Sequence, residues 1–134
     1  MNDKSADNLT GLRVLIVEDE MLLAEDEMLL AMDLEALLEG RGCIVEAANS
    51  IPLALSAIED WAPDVVTLDM NLDGNSSEPI AASLRKRDIP FVVVTGYSDS
   101  LSEVTEIKNA PLVKKPYDCG ELIEKLRGVV RARL

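Results

Sequence analysis

Val65-Val66-Thr67-Leu68-Asp69-Met70-Asn71-Leu72-Asp73-Gly74 is a β-branched apolar run that stops at a carboxylate and passes into turn residues. A continuous apolar run of this length, bounded by turn formers, fits a strand buried on both faces of a parallel sheet. Open α/β sheets bind their ligands outside the carboxyl ends of the strands. Asp69 therefore stands where such a sheet does its chemistry.

The chain of 134 residues is long enough for one domain with a sizeable core. Hydrophobic residues make up 48% and aromatic residues only 3%, so the interior is built from Val, Leu, Ile and Ala. A net charge of −12 argues against nonspecific binding to nucleic acid or to an anionic membrane. The charge is uneven, with nine acids and no base from Glu18 to Glu39 and ten of the thirteen Lys and Arg from Arg85 onward. Such blocks are ordinarily solvated helix faces. Cys43 and Cys119 have neither disulfide-framework nor metal-site spacing. With no histidine in the chain, a Cys/His zinc site and His-based catalysis are excluded. Met1 to Thr10 lacks a signal-peptide core, and no apolar run reaches membrane length. A soluble, cytoplasmic protein with no nucleic-acid or membrane partner is the expectation.

Residues 1–10 are expected to be a disordered lead-in, and residues 11–134 one domain. Leu12 to Val17 is a predicted strand that runs into Glu18-Asp19-Glu20. Three acids at a strand end are costly together unless a cation compensates, and a hard divalent ion suits such oxygen ligands. The same acids also suit a solvated first turn of a helix, where the dipole favours them. Gly40-Arg41-Gly42 is a helix stop. Cys43 to Ala47 is a second strand, Ile51 to Asp60 a helix with Pro52 in its first turn, and Asp64 to Leu68 a third strand. Glu78 to Arg87 is a helix and Phe91 to Thr95 a fourth strand. Gly96 to Ala110 is weakly periodic and suits a short or labile helix. Pro111 to Lys114 is a fifth, short strand. Asp118 and Glu121 are spaced as a variant capping box for a last helix. This β-α alternation implies a parallel sheet with right-handed crossovers.

One departure from that regular plan is a tandem repeat. Glu18-Asp19-Glu20-Met21-Leu22-Leu23-Ala24 recurs identically as Glu25-Asp26-Glu27-Met28-Leu29-Leu30-Ala31. Seven residues are close to two helical turns, so the second copy drifts only about 20° around the axis. Leu23, Leu30 and Leu37 then share a face, with Leu34 between the last two. One helix from about Glu20 to Glu39 would be roughly 30 Å long, whereas a six-residue strand spans about 20 Å. The overshoot would expose Met and Leu side chains or bury them against a second chain.

Four strand ends carry polar groups: Glu18/Asp19, Asp69, Thr95 and Lys115. Each alone has an ordinary explanation as a cap, a turn former, a strand-end hydroxyl or a surface cation. Together they supply what phosphoryl transfer needs, namely a metal on the phosphoryl oxygens, an aligned nucleophile and a cation for the spreading charge.

With these residues in view, the chain resembles the receiver domain of two-component response regulators over residues 11–134. Glu18 and Asp19 look like the family's acidic metal pair, and Asp69 like its phosphoacceptor. Asn71 stands where the family offers a backbone carbonyl to Mg²⁺. Thr95 matches the switch hydroxyl, and Lys115-Pro116 the family's Lys followed by a cis proline. The resemblance implies a flavodoxin-like three-layer α/β fold with a five-stranded parallel sheet of order 2-1-3-4-5, here with a lengthened or rearranged first helix. Pro90-Phe91-Val92-Val93-Val94-Thr95-Gly96-Tyr97 is similar to a subgroup marked by Pro-Phe-x-Phe-Ala-Thr-Gly-Tyr, with Val93 and Val94 replacing Phe and Ala. The family's aromatic switch, two residues before the Lys, is Val113 here, which leaves Tyr97 as a candidate reporter. No proline follows Asp69 at the usual short distance, and Asp73-Gly74 makes the turn instead.

The implied activity is acceptance of a phosphoryl group from a histidine kinase onto Asp69 with Mg²⁺. Slow self-dephosphorylation would follow, with signalling by protein contact or service as a phosphate sink. That is not a classical enzyme. The repeat leaves Glu25/Asp26 as an alternative metal pair and suggests a homodimer, with or without exchanged elements, through the first helix. A rival reading is a receiver-fold binding module left unphosphorylated because the repeat disturbs the metal site. An Asp-nucleophile phosphatase would need an acid/base Asp where Asn71 stands, and a nucleotide-binding protein would need a glycine-rich phosphate loop that the chain lacks.

Overall fold

The computed structural model describes residues 9–18, 34–72, 75–95, 110–114 and 118–133. Five strands form a parallel sheet: β1 (Arg13–Val17), β2 (Ile44–Ala48), β3 (Val65–Asp69), β6 (Phe91–Thr95) and β7 (Leu112–Lys114). Two further strands of two residues, β4 (Asn71–Leu72) and β5 (Asn75–Ser76), pair antiparallel as a separate hairpin. The sheet order is β2-β1-β3-β6-β7. The sequence-based order 2-1-3-4-5 counted five strands. It differs in number because β4 and β5 intervene, so the fourth and fifth members of the sheet are β6 and β7.

The helices are α1 (residues 34–40), α2 (Ile51–Asp60), α3 (Glu78–Lys86) and α4 (Cys119–Arg133). They cover both faces of the sheet. Val14, Ile16, Val65, Val92, Val94 and Val113 turn one face toward Leu34, Leu38, Leu122 and Leu126 of α1 and α4. Leu15, Val17, Val66, Leu68 and Val93 turn the other toward Ala54, Ile58, Ile80 and Leu84 of α2 and α3. The period-2 alternation of a strand thus feeds two cores, which is why the central strands read as unbroken apolar runs. None of the helices among the described residues is long and apolar enough to cross a membrane.

Local chemistry sets the element ends. Ser50 begins α2, its hydroxyl accepting from the Leu53 N–H at 3.3 Å, with a proline in the first turn. Asp118 Oδ1 accepts from the Gly120 N–H at 3.4 Å at the start of α4, in keeping with its expected capping role. The α1 C-terminus closes as a Schellman motif. The Gly42 N–H donates to the Glu39 carbonyl at 3.0 Å and the Cys43 N–H to the Leu38 carbonyl at 3.1 Å, with Gly42 at φ 92°. Glycine is needed there for a second reason, since a Cβ would stand 3.3 Å from the Thr10 Cα.

Three sequence-based expectations change. Leu9 is fully buried in the first core and its carbonyl accepts from Cys43 Sγ at 3.4 Å, so packing begins inside the stretch expected to be a disordered lead-in. Strand β3 runs one residue further than expected, because Asp64 stays outside it. The Arg13 N–H donates to Asp64 Oδ2, and the Asp64 N–H to the Arg13 carbonyl, each at 2.8 Å. On α1, Leu34 and Leu38 are buried whereas Leu37 is 46% exposed. Leu37 therefore does not share the buried face of Leu34, with which the heptad spacing grouped it. The repeat, the lengthened helix from Glu20 and the segment 96–109 lie outside the described residues. Cys43 and Cys119 are both buried and neither is in a disulfide.

The position of the inward face of α1 is measurable. Leu38→Ala should cost about 2–5 kcal/mol in urea unfolding, while Leu37→Ala should stay within about 0.5 kcal/mol. Gly42→Ala should cost at least about 1–2 kcal/mol from the left-handed backbone alone.

Candidate functional site

The C-terminal ends of β1, β3 and β6 lie side by side. Val17 pairs with Leu68, so Glu18 and Asp69 each follow by one residue on neighbouring strands. Such strands run about 4.8 Å apart. The Glu18 N–H donates to the Ala48 carbonyl at 3.1 Å, which fixes its backbone to the end of β2. Asp69 is the last residue of β3, pairs with Val94 and is only 4% exposed. Thr95, also buried, follows Val94 at the end of β6. Lys114 pairs with Thr95, so Lys115 directly follows the residue in register with the hydroxyl.

The structure thus brings Glu18, Asp69 and Thr95 to one end of three adjacent strands. Asp19, Tyr97, Lys115, Gly74 and the alternative pair Glu25/Asp26 lie outside the described residues. Asn71 is in β4 opposite Ser76. The Ser77 N–H donates to the Met70 carbonyl at 3.1 Å, which makes Asn71–Ser76 a non-hydrogen-bonded pair of the antiparallel ladder. The N–H and C=O of such a residue point away from the partner strand. The Asn71 carbonyl is accordingly turned away from β5.

Two features here were not read from the sequence. One is the β4–β5 hairpin, whose signal was the Asp73-Gly74 dipeptide between two short strands. The other is Ser77, which is fully buried, occupies the N-cap of α3 and makes no side-chain cap hydrogen bond. Its hydroxyl donates instead to the Met70 carbonyl at 2.9 Å. At the opposite end, where the strands begin, a hollow of about 280 Å³ lies between Leu12, Asp64, Pro90 and Val130.

A family model of the response regulator receiver domain matches residues 14–127. The chain belongs to the receiver domain family. Sensory transduction protein RegX3 of Mycolicibacterium smegmatis is 34% identical over 121 residues, covering 88% of this receiver chain and 50% of that protein. Phosphate regulon transcriptional regulatory protein PhoB of Pseudomonas aeruginosa is 32% identical over 129 residues, covering 92% and 53%. The receiver chain spans about half the length of these curated relatives. The solution structure of SdrG from Sphingomonas melonis Fr1 superposes with a TM-score of 0.69 at 33% identity, covering 92% of this chain and 98% of that one. The flavodoxin-like receiver fold and the parallel five-stranded sheet follow.

The donor set suits a hard divalent cation. Mg²⁺ binds through one or two carboxylates and keeps several waters. Glu18 and Asp69 are carboxylates on adjacent strand ends, and the Asn71 carbonyl is not spent on the hairpin. Among the described residues, Glu18 and Asp69 are the carboxylates at this end, and no group of three Asp, Glu, His or Cys side chains comes together there.

Two carboxylates held at adjacent strand ends oppose each other unless a cation is present. Asp69→Asn removes one of these two carboxylates. Added Mg²⁺ should raise the melting temperature of the wild type and leave that of the variant unchanged, as read by thermal unfolding.

Proposed function

We propose that this receiver domain takes a phosphoryl group from a histidine kinase onto Asp69. The observation that carries the reading is the buried Asp69 carboxylate at the end of the central strand, between Glu18 at the end of β1 and Thr95 at the end of β6. An Asp69 oxygen attacks the phosphorus of a phosphohistidine in line. The new O–P bond forms as the P–N bond breaks, and the imidazole nitrogen leaves with the electron pair and takes up a proton. Glu18, Asp19, Asp69 and the Asn71 carbonyl would hold Mg²⁺, which when bound neutralises charge on the phosphoryl oxygens. Thr95 donates its hydroxyl to a phosphoryl oxygen, and Lys115 pairs with the acyl phosphate. Water attack later returns the carboxylate.

Glu18/Asp19 is the metal pair rather than Glu25/Asp26. The support is register, since Glu18 directly follows the β1 residue paired with Leu68 and its N–H is bonded to Ala48. Readout departs from the aromatic rotation of ordinary receivers. Val113, where that aromatic would stand, is a buried member of the α1/α4 core. Tyr97 is then the reporter, in line with the Pro90-to-Tyr97 similarity to the Thr-Gly-Tyr subgroup. The duplicated heptad lengthens the first helix and favours a homodimer. Sedimentation that shows a compact monomer at high concentration overturns the dimer.

Incubation with acetyl phosphate and Mg²⁺ should add one phosphoryl group by mass to the wild type and none to Asp69→Asn. If the wild type takes no label while a chain lacking residues 18–24 does, the repeat has disabled the site and the chain is a binding module of receiver fold. Equal labelling and equal oligomeric state of the two chains would show the repeat to be inert.

A further inference from the structure

Ser77 begins α3 but does not cap it. An N-cap serine ordinarily accepts from an N–H of the first helical turn. Here the neighbouring Ser76 takes over part of that work, its hydroxyl accepting from the Glu78 N–H at 3.1 Å. The Ser77 hydroxyl is directed back across the hairpin to the Met70 carbonyl at 2.9 Å, and the Ser77 N–H donates to the same oxygen at 3.1 Å. On the other side of that residue, the Met70 N–H donates to the Val94 carbonyl of β6 at 2.9 Å. Both ends of Met70, the residue between Asp69 and Asn71, are therefore fixed, one to the sheet and one to Ser77. Met70 and Ser77 are both buried, so a lost bond would not be replaced by bulk water.

Fixing the Met70 carbonyl fixes the plane of the peptide it belongs to. That plane carries the Asn71 N–H, and its orientation sets the direction in which Asn71 continues. We propose that Ser77 is a positioning residue for phosphoacceptance. By clamping the Met70 carbonyl it holds the Met70–Asn71 peptide so that the Asn71 carbonyl faces the metal beside Asp69. The inference rests on the phosphoacceptor reading and deepens it. It assigns a role to a side chain eight residues from Asp69 that carries no charge and need not touch the phosphoryl group. Helix capping alone would not require a buried hydroxyl aimed away from the helix.

The test compares Ser77→Ala with Ser76→Ala, which removes the exposed hydroxyl that serves α3 itself. Ser77→Ala should raise the Mg²⁺ concentration at half-saturation by about tenfold, the equivalent of about 1.4 kcal/mol. The measurements are calorimetric titration with Mg²⁺ alone and the Mg²⁺ dependence of acetyl phosphate labelling. Amide exchange at Met70 should quicken in the same variant. Ser76→Ala should lower the unfolding midpoint and leave the Mg²⁺ midpoint unchanged. Ser77→Thr, which keeps the hydroxyl, should restore Mg²⁺ binding to within about twofold, the equivalent of about 0.4 kcal/mol. If Ser77→Ala does not fold, Ser77→Cys, which keeps the volume and weakens the donor, makes the same comparison. A wild type that binds Mg²⁺ and takes the label, with a Ser77 variant that matches it in Mg²⁺ midpoint, overturns the positioning role alone. A wild type that neither binds Mg²⁺ nor takes the label overturns both this role and the phosphoacceptor reading.

Discussion

A carboxylate held out of water at the end of a central strand governs the structure. Asp69 is almost fully buried, and burial penalises its charged form unless cations or hydrogen bonds compensate. Parallel strands in register bring Glu18 and Thr95 to the same end, and Lys115 directly follows the residue that pairs with Thr95. Glu18 stands one strand away from Asp69, so two carboxylates share this sheet end, an arrangement that suits a hard divalent cation.

Precision at that strand end depends on backbone bonds more than on side chains. The Val94 carbonyl holds the Met70 N–H, the Ala48 carbonyl holds the Glu18 N–H, and Ser77 holds the Met70 carbonyl twice. These bonds are short-range and directional, and two aliphatic cores shield the strands that carry them. An interior with so few aromatic residues offers little for a rotating ring to pack against. The buried Val113 fits that economy. The position where ordinary receivers carry a rotating ring is here an aliphatic member of the core.

Much of this was legible in the sequence because two-faced burial leaves an unambiguous trace. The runs Val65–Leu68 and Phe91–Val94 are apolar but for the buried Thr67, and the residues that follow them, Asp69 and Thr95, are polar groups of the candidate site. What was not legible depended on partners distant in sequence. Asp64 looked like the first residue of β3 until the Arg13 backbone claimed its side chain. Leu9 looked like part of a polar tail, yet Cys43 and the α1/α4 core hold it. Ser77 carried no signal in the sequence, and nothing local announced that its hydroxyl would turn to Met70. On α1 the heptad spacing grouped Leu34 with Leu37, whereas the core buries Leu34 and Leu38 and leaves Leu37 half exposed.

That last difference bears on the repeat. The end of β1 is fixed by the Val17–Leu68 pairing and the Glu18–Ala48 bond. The end of α1 is fixed by the Gly42 turn and by the burial of Leu34 and Leu38. The second heptad lies wholly between those two anchored points, so neither the sheet register nor the α1 C-terminus can shift to absorb it without breaking bonds that are present. A duplication in the middle of a surface loop would be cheap and remote. This one follows directly, in sequence, on the acid that ends β1 beside Asp69, so seven residues are added between two anchored ends and next to the site proposed for phosphoacceptance.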